Sequence, residues 1–340
     1  MRKRSSSVTI RDVAKKAGVS VATVSRFINR NAPVSEEVSK RLEQVMNEMR
    51  FVPHAAARHL ASRRTRVIGL LLTNMHNDFF APLLNGIEQV VRQNGYNLLV
   101  ATSHSDSRSE FHLPLGPHNT DGMLVFADSL SEENLRELHM NGFPMVLVHR
   151  TPPADTSIPS VTVENKTATL KLVDHLISTH AKKHILFMRG PDHQEDSYWR
   201  ETGYRSALEA KGIPVDERLI LKGDFEREVA YDSLSHFLEN GNMVDFDAVF
   251  AGDDDAAIGV IDALTEHGFR VPEDVAVVGF DDLRLSAFLT PPLTTVRAPT
   301  ESVGRIAAER LFKLMEKVSS DGVVLLPTEI IIRRSCGCVS

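Results

Sequence analysis

From Val67 onward, near-continuous apolar runs alternate with stretches of helical periodicity. VIGLLLT (67 to 73), YNLLVAT (96 to 102), GMLVFA (122 to 127) and PMVLVH (144 to 149) read as buried strands with amphipathic segments between them. KHILFMRG (183 to 190), RLILKG (218 to 223), FDAVFAG (246 to 252) and VAVVGF (275 to 280) repeat the scheme. Val/Ile/Leu runs without polar alternation suit parallel sheets covered by helices on both faces, and two such sets predict two α/β halves.

Ahead of Val67 the period becomes helical. In TIRDVAKKAGVSVATVSRFIN, Thr9 stands where a cap is needed, with Asp12 three residues on as in a capping box, and Ile10, Val13, Ala14 and Ala17 share one face. Gly18 permits a reversal, and Ser20 can cap a second helix that turns Val24, Phe27 and Ile28 inward and leaves Val21, Ala22, Ser25 and Arg26 on its other face. A third helix begins at Ser35 and brings Val38, Leu42, Val45 and Met49 to cover the pair, which predicts an all-α helix-turn-helix domain. HAAARHLASRR, after Phe51-Val52-Pro53, predicts a helix that needs a partner, because isolated helices below about 12 to 15 residues are marginal.

Charge sharpens this division. The 340 residues carry a formal net charge of -6, yet residues 1–66 hold 15 Lys+Arg against 5 Asp+Glu, leaving 24 against 40 in the remainder. A polyanion-seeking module is joined to an acidic body. Small residues opening the second helix let its backbone approach a major groove, where Arg26 can present paired donors to guanine. The hydroxyls of Ser20, Thr23 and Ser25 suit phosphates, which position a protein without specifying sequence.

No apolar stretch reaches the roughly 18 residues of a membrane helix, and the basic start lacks a signal-peptide core, so a cytoplasmic protein is expected. Cys336 and Cys338 are too few for a disulfide framework or a four-ligand zinc site and are expected to be reduced thiols. No H-E-x-x-H, G-x-S-x-G, P-loop or G-x-G-x-x-G is visible, and no catalytic residue, metal or cofactor is expected.

Ligands of parallel α/β sheets sit beyond the strand C-termini. The residues there are Asn74, His76, Phe79 and Phe80, then His149-Arg150, Pro191 to Arg200, Phe225-Glu226, Asp253 to Asp255 and Asp281-Asp282. Phe79, Phe80, Trp199 and Phe225 could wall a sugar ring whose hydroxyls meet carboxylates and Arg200. Of the three consecutive aspartates, Asp253 is expected to face a ligand, Asp254 to cap the following helix and Asp255 to face solvent.

DVAKKAGVSVATVSRFIN, FVPHAAARHL, VGFDDLR and PPLTTVR together resemble the LacI/GalR family of transcriptional regulators, over essentially the whole chain. Val21-Ala22 followed by Arg26 is most similar to the galactose regulators within it. The resemblance implies a headpiece at 1–52, a hinge helix and linker at 53–66, and an effector-binding and dimerisation domain at 67–340. That domain would have the two-subdomain, periplasmic-binding-protein-like α/β fold, with an N-subdomain at 67–163 and 296–322 and a C-subdomain at 164–295 and 323–340. The DNA contacts implied are Thr9, Ile10, Ser20, Val21, Ala22, Thr23, Ser25, Arg26 and Asn29, joined by Ala56, Ala57 and Leu60 of the hinge, with Leu60 wedged into the central base step. The effector contacts implied are Asn74, Phe79, Phe80, His149, Gln194, Asp196, Trp199, Arg200, Phe225, Asp253 and Asp281. The partners implied are a near-palindromic operator, a small sugar-like effector and a second copy of the chain, whose helix 79 to 94 joins the subunit contact. The C-terminus lacks the leucine heptads of a tetramer.

Three positions depart from the family pattern: His54 replaces the usual Asn, His149 replaces an Asp before Arg150, and two prolines and a glycine between 104 and 119 predict a shortened helix. A solute-binding protein of sugar-transporter type would share the body but not the basic headpiece. A metal-dependent sugar phosphohydrolase would need ligands from several elements rather than three consecutive aspartates.

Overall fold

In the computed structural model, Thr9 caps α1 (Ile10–Ala17) through both halves of a capping box. The Asp12 N–H donates to Thr9 Oγ1 at 3.4 Å, and the Thr9 N–H donates to Asp12 Oδ2 at 2.9 Å. Gly18, at φ +65°, ends the helix in the left-handed region that glycine occupies freely. Ser20 Oγ then accepts from the Thr23 N–H at 3.1 Å and opens α2 (Val21–Asn29), which α3 (Glu36–Glu48) covers. Val13, Ala14, Ala17, Val24, Leu42 and Val45 form the core of this bundle, with Phe27, Ile28, Val38 and Met49 packed against it. The Lys16–Glu48 pair at 2.8 Å ties α1 to α3, but both side chains are half exposed, and such pairs contribute about 0–1 kcal/mol.

The structure describes residues 8–29, 32–51, 64–76, 78–103, 113–239, 245–320 and 322–339. The chain divides into two compact units, Met1–Thr65 and Arg66–Ser340. His54, Ala56, Ala57 and Leu60 lie outside the described residues, as does 104–112.

The second unit opens with β1 (Val67–Leu72), α4 (Phe80–Gln93), β2 (Asn97–Thr102), β3 (Gly122–Phe126), α5 (Glu132–Met140), β4 (Met145–Val148) and β5 (Ser160–Val163). It continues with α6 (Lys166–His180), β6 (Ile185–Arg189), α7 (Glu195–Ala210), β7 (Ile220–Lys222), α8 (Arg227–Glu239), β8 (Ala248–Ala251), α9 (Asp254–Glu266) and β9 (Ala276–Val278). The chain ends through β10 (Thr295–Arg297), α10 (Thr300–Met315), β11 (Val323–Leu326) and β12 (Glu329–Ile331). A parallel six-stranded sheet runs β11-β5-β4-β3-β1-β2, and a parallel four-stranded sheet runs β7-β6-β8-β9. β10 and β12 pair antiparallel as a separate two-stranded sheet.

The boundary expected at 323 does not hold in the fold. Val323–Leu326 pairs parallel with Ser160–Val163 at the edge of the first sheet, so these residues belong to the first lobe and not to a C-subdomain beginning at 323. Their alternately exposed and half-buried pattern marks an edge strand but does not say of which sheet. The chain therefore passes between the lobes three times, after β5, after β10 and after β11.

The described part of the departure region, 113–119, forms turns. Thr120 Oγ1 donates to the Gly116 carbonyl at 2.9 Å, Asn119 Nδ2 donates to the Pro114 carbonyl at 2.8 Å, and Leu115 is buried against Gly69.

Candidate functional site

The C-terminal ends of the strands in both lobes meet around a cavity of about 60 Å3. Thr73, Asn74, Phe79, Phe80 and Phe126 line it from the first lobe, and Gln194, Asp196, Arg200, Asp224, Phe225, Asp253 and Asp281 from the second. Nine of the residues expected at the effector site thus converge: Asn74, Phe79, Phe80, Gln194, Asp196, Arg200, Phe225, Asp253 and Asp281. Drug-sized ligands occupy pockets of about 300–1,000 Å3, so this cleft is nearly shut and the lobes must part to admit a sugar ring. A wider groove of about 480 Å3 lies beside it, along Asp128, His149, Arg150, His193, Gln194 and Tyr198.

Arg200 is the hub. It sits one helical turn after Asp196 on α7, so both side chains share the face turned to the cavity. The residue is 2% exposed, and its donors are held by the Asn165 amide oxygen at 2.9 Å, the Gly252 carbonyl at 2.7 Å and Asp281 Oδ1 at 3.1 Å. The guanidinium lies over the Phe280 ring at 3.8 Å and faces Phe225 at 5.1 Å, a cation–π arrangement in a dry site. Burial pushes the Asp281 carboxyl up, and Arg200, acting against that, does not restore it to the usual value. Asp281 also holds φ +104°, a conformation rare for a side-chain-bearing residue and common at functional sites.

Asn165 was not legible from the sequence. It follows β5, whose SVTV lacks the aliphatic run of the other strands, and so the strand end that carries it gave no signal. Its amide nitrogen donates to Asp196 Oδ1 at 2.8 Å while its oxygen accepts from Arg200, which fixes both charged groups.

Two expected contacts are placed elsewhere. Trp199 does not enter the cavity: it precedes Arg200 by one residue, about 100° round the helix, and is 37% exposed with Nε1 donating to Glu195 at 3.1 Å. His149 lies behind the phenylalanine wall, 1% exposed, with ring centroids 5.5 Å from Phe79 and 5.4 Å from Phe126. It reaches the cavity through Asp196, whose Oδ2 lies 2.7 Å from His149 Nδ1. This pair crosses from β4 of the first lobe to α7 of the second. Burial acts to raise the Asp196 carboxyl, but His149 and then Arg200 outweigh it and hold it below the usual range.

The aspartate triplet separates by direction. Asp253, not Asp254, is the N-cap of α9, accepting from the Ala256 N–H at 2.9 Å, and burial followed by Asp281 pushes its carboxyl well above the ordinary value. Asp254 is fully buried and accepts from the Leu283 N–H at 2.8 Å, Ser286 Oγ at 2.5 Å and Thr295 Oγ1 at 2.5 Å. Asp255 is turned to the Arg227 N–H at 3.0 Å. The cap expected at Asp254 therefore falls on Asp253, which also lines the cavity, because the helix begins at Asp254 and the preceding residue takes the cap.

The raised Asp253 carboxyl has a measurable consequence. Above its ordinary value of 3.8 the unfolded chain releases this proton before the folded one, so the folded state binds more protons and its stability falls as pH rises. Asp253→Asn keeps a good N-cap without the charge. Its melting temperature should exceed that of the wild type by a few degrees at pH 7, and the difference should shrink toward pH 4. A pH-independent difference would mean that Asp253 is ionised in both states alike.

Phe225 presses its ring onto the backbone at the ends of β6 and β8. A Cβ added at Gly190 would lie 2.2 Å from this ring and one at Gly252 2.9 Å from it, so both glycines are needed for the phenyl face to reach the cavity.

In the headpiece, Val21, Ala22 and Arg26 are exposed on α2, as are Thr9 and Ser20, while Ile10, Thr23 and Ser25 are partly covered. Asn29 is the last residue of that helix. The result is a shallow face of small side chains with one guanidinium, of the shape that a major groove accepts.

Residues 9–54 match the lacI family of bacterial regulatory proteins, and residues 173–336 match a periplasmic binding protein-like domain. The chain is similar to catabolite control protein A of Priestia megaterium, with 34% identity over 333 residues, 96% of this chain and 99% of that protein. It is 32% identical over 331 residues to the HTH-type transcriptional repressor PurR of Aliivibrio fischeri (strain MJ11), 96% of this chain and 98% of that one. Among solved structures, a complex of the transcriptional regulator CelR with cellobiose covers 96% of this chain and 99% of its own at a TM-score of 0.69 and 28% identity. The lac repressor dimer bound to operator and an anti-inducer shares the fold, with a TM-score of 0.78 at 24% identity over 97% of this chain and 99% of its own. With a helix-turn-helix unit, two parallel-sheet lobes and relatives aligned over nearly their whole length, this chain belongs to the lacI family of bacterial transcriptional regulators.

Proposed function

We propose that this protein is a homodimeric repressor that reads a near-palindromic operator through α2 and senses a small polyhydroxylated effector between its lobes. The observation that carries the sensing role is the arrangement of Asp196, Asp253 and Asp281 around Arg200 under a phenylalanine wall. Carboxylates accept from sugar hydroxyls, the guanidinium donates to them, and aromatic faces cover the apolar side of the ring. The CelR structure, which holds cellobiose, supports that class of ligand.

A ligand that widens or closes the cleft changes the angle between the lobes about their three chain crossings, and it does so only through unequal affinity for the two arrangements. Residues 53–66 would transmit this as a hinge helix that forms, paired with its twin, when subunit spacing is right, with Ala56 and Ala57 against the groove and Leu60 between bases. Catalysis is not part of this reading, since the three consecutive aspartates that could suggest a metal-dependent hydrolase are turned to three different partners. A solute-binding protein would have no use for the basic helical unit.

Arg26→Ala tests the operator reading. It should cost about 1–3 kcal/mol of discrimination against a changed base in the half-site, while the affinity for unrelated DNA changes much less. Fluorescence anisotropy over a salt series measures both. Binding that ignores salt and sequence alike would remove the proposal. A thermal-shift screen of sugars and sugar phosphates on the full-length protein would find the effector class.

A further inference from the structure

The geometry points to a zinc(II) site at the C-terminus, built from His175 and His180 of α6 and from Cys336 and Cys338. These four residues bring one ligand atom each to within 4.8 Å of one another. Two cysteines alone are too few for a four-ligand site; the fold adds two histidines from far earlier in the chain.

Three of the six ligand–ligand distances already match a coordination shell, and all six lie within 4.8 Å. Cys336 Sγ and Cys338 Sγ each lie 3.6 Å from His175 Nε2, and Cys338 Sγ lies 3.4 Å from His180 Nε2. A tetrahedral zinc with bonds of about 2.3 Å to sulfur and about 2.0–2.1 Å to nitrogen separates its ligand atoms by roughly 3.3–3.8 Å. The three sulfur–nitrogen separations fall inside that interval. The two imidazoles stand nearly perpendicular, at 79° with centroids 5.0 Å apart, so they offer lone pairs without stacking.

The backbone holds the thiols in place independently of any ion. Ser335 Oγ accepts from the Thr294 N–H at 2.8 Å and donates to the Val277 carbonyl at 2.6 Å, which fastens the tail to the second lobe. Gly337 then turns at φ +104°, and a Cβ there would lie 3.2 Å from His180 Nδ1. Glycine at this place lets Cys338 fold back over His180. Cys336 is 1% exposed, whereas Cys338, His175 and His180 are partly exposed, giving a closed shell with an open approach. Hard cations prefer oxygen ligands, so two sulfurs and two nitrogens select a borderline ion such as zinc. On binding, two thiols release their protons to solvent and the two thiolates balance the dication.

The bound ion would staple the tail to the end of α6, the helix whose start carries Asn165 beside Arg200. Zinc therefore stabilises the frame of the effector cleft from its far side.

Untagged, full-length protein, kept reduced and stripped with chelator, should take up about one zinc per chain by elemental analysis and melt at a higher temperature with zinc than without. Cobalt(II) in its place should show the intense visible bands of a tetrahedral centre and a thiolate charge-transfer band. Cys338→Ser and His180→Gln, both on the exposed side, should each weaken zinc binding at least roughly tenfold while circular dichroism shows the fold intact. Substoichiometric uptake by the reduced wild type, or equal affinity in the folded variants, would overturn the site. Should a variant lose its fold, the cobalt spectrum of the wild type decides alone: an octahedral spectrum without charge transfer rejects the thiolate ligands.

Discussion

Arg200→Ala is expected to destabilise the effector domain by about 3–5 kcal/mol, the loss found when one partner of a buried charge cluster is removed. Asp196 and Asp281 would remain buried with Asp253 and without their shared cation, and the Asn165 oxygen and Gly252 carbonyl would lose their donor. For a unit of this size, each kcal/mol corresponds to about 2–4 °C, so a fall of roughly 10 °C in melting temperature is the measurement to make. Effector affinity should fall with it by two orders of magnitude or more, on the order of 3 kcal/mol for a lost charged contact. Arg200→Lys should restore part of the stability but little of the affinity, since an ammonium cannot span Asn165, Gly252 and Asp281 with one planar fork. Unchanged ligand affinity in a folded Arg200→Lys protein would show that the guanidinium serves packing alone.

Asp254→Ala should be comparably damaging without touching the cleft. It strips the acceptor from the Leu283 N–H, Ser286 and Thr295, three buried donors that tie α9 to the loop after β9 and to β10. Unsatisfied buried groups cost about 1–3 kcal/mol each, and partial rearrangement of the two hydroxyls leaves an expected total of about 3–5 kcal/mol. Asp255→Ala, one residue on, loses a single bond to the Arg227 N–H and should cost about 1 kcal/mol. Urea unfolding of the two variants side by side checks the contrast. Burial pushes the Asp254 carboxyl up to about 7 in spite of its donors. The folded protein therefore keeps this proton between pH 3.8 and about 7, and the stability it confers declines as pH rises through that window.

The sequence carried the architecture further than it carried the site. Eight strands were legible from their apolar runs, six of them largely buried and two, β2 and β7, partly exposed at sheet edges, and the headpiece because its caps, Thr9 with Asp12 and Ser20 with Thr23, sit at fixed offsets from apolar positions. β5, β10 and β12 were not, being short and mixing polar with apolar residues, and neither was β11, a four-residue VVLL run at a sheet edge. Strand ends then pointed to Phe79, Phe225, Asp253 and Asp281, all of which line the cavity, since the C-termini of parallel strands open onto the cleft. Trp199 shows where that rule weakens: on a helix the phase matters as well, and one step beside Arg200 turns the indole outward. His149 shows another limit. Whether a residue at a strand end lines the cavity or stands behind its wall depends on what Phe79 and Phe126 cover, and that is decided by packing between distant segments.

The interleaving of the lobes bears on how the protein is made. Because the first sheet takes its last strand from residues 323–326 and the second lobe is sealed by the tail after β12, neither lobe is complete until the chain has been synthesised past Ser335. A stop before residue 323 would leave an open edge on one sheet and an uncovered flank on the other. A chain that stops after residue 320 should therefore aggregate throughout the effector domain rather than yield a protein with one working half.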